Sequence, residues 1–198
     1  MTSPRPIVAS AARRVTTAAL LAALLAVSAV VAVPVGAVPL TLQVFVVVLI
    51  ALLVPPSWAA LAVGTYLLVG ALGLPVFAGA RGGLGVLVGP TGGYLVGFFI
   101  GAVVGAALGR LAGQHLRPRW LTDAIVGIVV ILIIYACGWA QLAVVAHLGA
   151  SAAFFAGVVP FIVPDALKAA VAVGVAPVVR RAARVQTPVS RAEREGGR

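Results

Sequence analysis

The sequence predicts an all-α, polytopic membrane protein: a bundle of six transmembrane helices with both termini in the cytoplasm. Three observations carry this: composition, the spacing of apolar runs between breakers, and the placement of the basic residues. Apolar residues make up 63% of the 198 positions and charged residues 9%, with a mean hydropathy of +1.20. Soluble domains carry about 45–50% apolar and roughly 25% charged residues. So few charges cannot coat a water-facing surface, which excludes a soluble enzyme, and the hydrophobicity excludes a disordered chain. A single Cys rules out a disulfide framework. Two His and four acidic residues leave little material for a metal centre, so no metal or cofactor is expected.

Six apolar segments follow one another. The first, Val15–Val33, is closed by Pro34. The second, Leu40–Val54, stops at Pro55 and Pro56, and the third, Trp58–Leu74, at Pro75. Proline ends a helix because it lacks the N–H and clashes with the preceding turn. The fourth segment is Thr91–Leu111 and the fifth Thr122–Leu148. The sixth, Asp165–Val179, is opened by Pro164, a position where the missing N–H has no helical partner to lose. Between the last two, Ser151–Val163 is apolar but short and interrupted by Pro160. It is expected to be a short helix or re-entrant piece folded into the bundle.

The charges test this count. Twelve of the fourteen basic residues fall in three clusters: Arg5, Arg13 and Arg14; Arg110, Arg117 and Arg119; and Arg180, Arg181, Arg184, Arg191, Arg194 and Arg198. Cytoplasmic loops are rich in Lys and Arg, and an even helix count puts all three clusters on that side. The expected organisation is a cytoplasmic segment 1–14, a membrane domain 15–180 and a basic, disordered cytoplasmic tail 181–198. A cleaved signal peptide is the competing account of the N-terminus, but its removal breaks the charge parity. No aromatics interleave with the clusters as a nucleic-acid platform requires. Lipid, not nucleic acid, is the expected surrounding partner.

Outside the clusters few polar groups remain. Asp123 opens the fifth helix and is expected to cap it. Arg81, Asp165 and Lys168 lie on the outer half, where charges beside membrane helices are functional candidates. Asp165 and Lys168 are three apart and share one helix face. They are either a self-neutralising capping pair or an acceptor and a donor turned toward a pocket beneath the outer loops. His115, His147 and Ser151 form no nucleophile–base pair in sequence, so catalysis is not expected. Trp58 and Trp120 sit at span ends, as interfacial anchors do.

Glycine supplies another pattern. Gly89, Gly93, Gly97, Gly101, Gly105 and Gly109 recur every four residues and make a smooth face for close helix packing. Upstream, Gly79, Gly82, Gly83 and Gly85 punctuate a long loop whose backbone can approach a ligand. No Gly-Lys-Ser/Thr follows, so the loop is not a nucleotide site. On the first helix, Ala18, Ala22 and Ala26 form a small-residue stripe that serves either internal packing or a partner membrane subunit.

The stretch Gly73-Leu-Pro-Val-Phe-Ala-Gly-Ala-Arg-Gly-Gly-Leu-Gly-Val-Leu-Val-Gly-Pro-Thr-Gly-Gly-Tyr94 closely resembles the BioY family, the biotin-specific substrate-binding (S) components of energy-coupling factor (ECF) transporters. Val38-Pro-Leu-Thr-Leu-Gln43 and Val159-Pro-Phe-Ile-Val-Pro-Asp-Ala-Leu-Lys168 resemble further segments of that family. The similarity spans most of Val15–Arg180. The resemblance implies a six-helix fold with an outward-facing vitamin pocket, a transmembrane coupling subunit and two cytoplasmic ATPases.

Biotin's ureido ring has two N–H donors and one carbonyl acceptor. The resemblance therefore implies that Asp165 accepts from the N–H groups and Lys168 donates to the carbonyl. Phe77, Val86 and Tyr94 would line the apolar part of the pocket. Gly79, Gly82, Gly83 and Gly85 would let the backbone approach. Arg81 would pair with the valerate carboxylate, or else stand as a solvated loop charge. The stripe Ala18, Ala22 and Ala26 becomes the candidate contact for the coupling subunit. The competing function is a secondary transporter or channel with Asp165 and Lys168 as an ion or proton relay.

Overall fold

The computed structural model describes residues 6–113 and 118–185. Arg5, His115, Arg117 and the tail residues Arg191, Arg194 and Arg198 lie outside the described residues. In order, the chain forms α1 (Pro6–Val30), a hairpin of β1 (Ala32–Val35) and β2 (Val38–Thr41), α2 (Gln43–Leu53), α3 (Pro56–Ala71), α4 (Leu84–Val88), α5 (Gly92–Ala112), α6 (Arg119–Val145), α7 (Ala150–Gly157), a 3-10 turn (Val159–Phe161) and α8 (Ile162–Val185). Every apolar segment expected from the sequence is helical over most of its length, and Ser151–Val163 supplies most of α7, the 3-10 turn and the start of α8.

The lengths differ from expectation. Four stretches are long and apolar enough to cross a membrane: Ala11–Val30, Gly92–Ala112, Arg119–Val145 and Ala150–Ala183. The helices α2 and α3 have only 11 and 16 residues. At 1.5 Å per residue, α2 is about 16 Å long, against about 30 Å of hydrocarbon. It is also the central helix, packed against α1, α5, α6 and α8, with Val47, Val48 and Ile50 fully buried. Its near-continuous apolar run reflects burial on all sides.

The hairpin was not anticipated from the sequence, where Pro34 only closes the first apolar segment. Instead Ala32 pairs with Thr41 and Val35 with Val38 around a two-residue turn, where Gly36 takes φ +63°. Pro34 and Pro39 lie opposite each other, next to the pair that closes the turn. In an antiparallel ladder that position exchanges no N–H bonds, so neither missing N–H is costly.

The glycine ladder packs α5 onto α6. A Cβ on Gly97 would stand 2.7 Å from Ile134 Cα, one on Gly105 2.6 Å from Val130 Cγ2, and one on Gly93 would run into the Cys137 carbonyl. Gly89 stands outside the helix and approaches the Gly85 carbonyl. On α1, Ala18, Ala22, Leu25 and Ala29 are buried, and α3 is the helix α1 chiefly packs against. The stripe Ala18–Ala22–Ala26 is thus largely taken up by packing within the chain. The 3.6-residue period turns Ala18 and Ala22 inward with Leu25, while Leu20, Leu24 and Val27 stay exposed.

One end of the bundle gathers the basic residues. Arg13 lies 5.8 Å over the Trp58 ring, and Arg14 donates to the Ser57 carbonyl at 3.3 Å. Arg180 donates to both oxygens of Asp123 at 2.7 and 2.9 Å and to the Leu52 carbonyl at 3.0 Å. Asp123 makes no helix cap; Pro118 occupies the cap position of α6. Asp123 is instead a buried counter-ion, 2% exposed, that ties α6 to α8. The expectation failed because its partner lies 57 residues away. The starts of α1, α3 and α6 and the ends of α2, α5 and α8 meet here, as alternating helices require.

Candidate functional site: a cavity around Asp165

The opposite end of α5, α6 and α8 encloses a cavity. Pro164 sits in the first turn of α8, and Asp165 follows where the helix dipole favours an anion. Lys168, one turn on, donates to Asp165 Oδ1 at 2.8 Å. From α6, the Tyr135 hydroxyl donates to Oδ2 at 2.9 Å. The carboxylate is 3% exposed, and each oxygen keeps accepting capacity beyond the one bond it makes. The pair is therefore more than a surface ion pair: it lines the cavity wall with Tyr135.

The walls come from several elements. Tyr94 and Phe98 of α5 line it, and the Tyr94 hydroxyl is already engaged, donating to the Gly157 carbonyl at 2.7 Å. Phe77 and Val86 line it from the loop between α3 and α5, while β2 closes it with Val38 and Leu40. Phe77 is 2% exposed and packs edge-on against Tyr66 at 5.5 Å. Beneath this lid runs a buried polar chain. Thr41 donates to Gln43 Oε1 at 3.2 Å, Gln43 Nε2 to the Tyr66 hydroxyl at 2.6 Å, and Tyr66 to the Val76 carbonyl at 3.2 Å. It ties β2, α2, α3 and the loop together. On the far side, Gln141 Nε2 donates to the carbonyls of Leu87 and Gly89, both at 2.8 Å.

Six sequence-predicted residues thus meet around one space: Asp165, Lys168, Phe77, Arg81, Val86 and Tyr94. Arg81 is exposed at its mouth and donates to the Ala78 carbonyl at 3.2 Å. The four loop glycines do not line the cavity. Gly79 and Gly83 supply backbone at φ +71° and +94°, where other residues are strained. Gly82 lets the loop cross its own start, since a Cβ would meet the Leu74 carbonyl, and Gly85 faces open space. Gly79, Gly82 and Gly83 shape the loop. Sequence reasoning missed Tyr135, Gln43 and Thr41. A hydroxyl in the middle of the long apolar run of α6 was the available signal for Tyr135.

The arrangement offers a buried anion, a cation beside it and aromatic walls, with a guanidinium at the mouth. It suits a small, largely apolar ligand that presents N–H donors, an acceptor and an anionic end. The cavity measures about 60 Å³, well under the roughly 300–1,000 Å³ of ligand pockets, so a ligand of vitamin size must displace part of the lid.

Comparison with known proteins agrees over most of the chain. It is 45% identical to a Pyrococcus horikoshii protein named a probable biotin transporter BioY, over 83% of this chain and 94% of the relative. It is 36% identical to the biotin transporter BioY of Rhizobium etli over 68% of this chain and 74% of that one. A solved S-component for biotin from an ECF-type ABC transporter shares the fold, with a TM-score of 0.80 at 22% identity, covering 91% of this chain and 95% of the other. With the BioY family model matching residues 2–185, and the quoted loop, hairpin and α8 motifs meeting at one cavity, the chain belongs to the BioY family.

Proposed function

We propose that this multi-pass membrane protein is the biotin-binding S component of an ECF-type uptake transporter. It captures biotin from outside and delivers it inward, with ATP hydrolysed by partner subunits. Family membership and the relatives' names support the transport role over catalysis. The observation that carries the ligand assignment is the buried Asp165 carboxylate, held between Tyr135 and Lys168 inside a largely apolar cavity. In this reading Asp165 accepts the ureido N–H groups and Lys168 donates to the ureido carbonyl. Phe77, Val86 and Tyr94 surround the thiophane ring, and Arg81 meets the valerate carboxylate. The basic end of the bundle faces the cytoplasm, the six main helices form the membrane bundle with α2 held inside it, and both termini lie inside. A transmembrane coupling subunit and two ATPases complete the transporter. The lid of β2 and the loop Pro75–Pro90 opens to admit biotin and closes to exclude water.

Calorimetry of biotin with the detergent-purified chain tests this. Tight binding, lost in Lys168→Ala at unchanged unfolding temperature, is the expected result; no binding by the folded wild type overturns the assignment. Biotin amide, which lacks the anionic end, separates the role of Arg81. Wild type should prefer biotin to the amide, and Arg81→Ser should bring that ratio toward one.

A further inference from the structure

A second cavity, of about 380 Å³, opens at the basic end of the bundle, lined by Arg110, Arg119 and Arg180 with Asp123 among them. It lies at the far ends of the helices that build the Asp165 cavity. Charge accounting gives its side chains a net positive charge. Among the described residues the only carboxylates are Asp123 and Asp165, so Asp123 is the only one at this end. Arg180 is paired with it bidentately and also bonds the Leu52 carbonyl. Arg119 reaches Asp123 at only 3.7 Å with its side chain 53% exposed. Three guanidiniums against one carboxylate leave two positive charges, carried by the exposed Arg110 and Arg119.

The rest of the wall is aliphatic: Leu52, Leu53 and Val54 at the end of α2, then Pro55. A guanidinium rim over an aliphatic wall matches a phosphate that carries glycerol and acyl chains better than a free ion. Trp120, beside Arg119, is 62% exposed, and exposed Trp at a span end sits at headgroup depth. Basic pockets between transmembrane helices at the cytoplasmic side bind anionic headgroups.

We infer that this cavity binds the phosphate of an anionic membrane phospholipid through Arg110 and Arg119, with Arg180 and Asp123 as its fixed floor. Each arginine–phosphate contact near the surface is worth about fivefold in affinity, so the pair supplies roughly 30-fold. The test titrates the detergent-purified full chain with phosphatidylglycerol, phosphatidylcholine or inorganic phosphate, reading the unfolding temperature and, by native mass spectrometry, bound lipid. Phosphatidylglycerol should raise the midpoint and remain bound, phosphatidylcholine should not, and inorganic phosphate at equal concentration should leave the midpoint unchanged. Arg110→Gln with Arg119→Gln should weaken phosphatidylglycerol binding roughly 30-fold, whereas Arg110→Lys with Arg119→Lys should keep most of it. Equal effects of the two lipids, an unaffected glutamine variant, or full stabilisation by inorganic phosphate alone overturns the lipid assignment. Both arginines are exposed at the surface, so the glutamine variant should fold, and its own unfolding temperature reports whether it does.

Discussion

Replacing Asp165 by Asn perturbs the cavity at one atom. In the native chain the carboxylate oxygens take one bond each, from Tyr135 at 2.9 Å and Lys168 at 2.8 Å. Spare lone pairs on both oxygens remain for ligand N–H groups. The amide has one oxygen, and Lys168, which has only protons to offer, claims it. The amide NH2 then faces Tyr135 and the ligand. The Tyr135 hydroxyl can rotate and accept, but a ureido N–H cannot. One charge-assisted bond is lost, worth about 1.5–3 kcal/mol, and an unpaired buried donor adds about 1–3 kcal/mol. Biotin affinity should therefore fall by about two orders of magnitude or more. Calorimetry at fixed pH and ionic strength measures it, with the unfolding midpoint as a check on folding. An Asp165→Asn protein that unfolds near the wild-type temperature and binds biotin within threefold of wild type would refute the reasoning.

Three further outcomes follow from the packing and pairing. Tyr135→Phe removes one donor from the buried carboxylate and should weaken biotin binding about tenfold, as expected for ~1.5 kcal/mol, readable in the same calorimeter. Gly97→Ala pushes a methyl against the Ile134 backbone and should lower stability by about 1–3 kcal/mol. Gly174→Ala, which meets nothing within 4 Å, should raise it by about 0.5–1 kcal/mol, and thermal unfolding of the two separates packing from helix propensity. Arg180→Met leaves the Asp123 carboxylate buried without its bidentate partner and should cost about 3–5 kcal/mol. Adding Asp123→Leu should recover most of it, which a double-mutant cycle in the unfolding midpoint measures.

What was legible in the sequence is what local chemistry decides. Prolines at 34, 55, 56 and 75 marked helix limits within a few residues, and the four-residue glycine period identified the α5 face that meets α6. Asp165 and Lys168 stood out because charges are conspicuous in an apolar chain. What stayed hidden needed partners distant in sequence. Whether Ala18 faces lipid or protein depends on where α3 packs. Asp123 looks like a cap until Arg180 arrives from 57 residues away. The hairpin around Gly36 went unseen because proline argues against a strand, an argument that lapses when Pro34 and Pro39 share a non-bonding register. Residues of the Gly-rich loop were read as ligand contacts, whereas positive φ and backbone crossings account for Gly79, Gly83 and Gly82.

The burial of α2 also bears on how the protein is made. This helix is too short to span the hydrocarbon alone, and its packing partners include α5, α6 and α8, all later in the chain. As the ribosome delivers helices to the membrane in order, α2 arrives early and waits without most of its neighbours. Its core contacts are complete only once α8, the last of the described helices, docks and Arg180 reaches Leu52 and Asp123. Asp165 rides on that same helix. The carboxylate at the centre of the cavity thus enters position in the step that completes the bundle, so a chain truncated before α8 lacks both its central packing and its proposed ligand clamp.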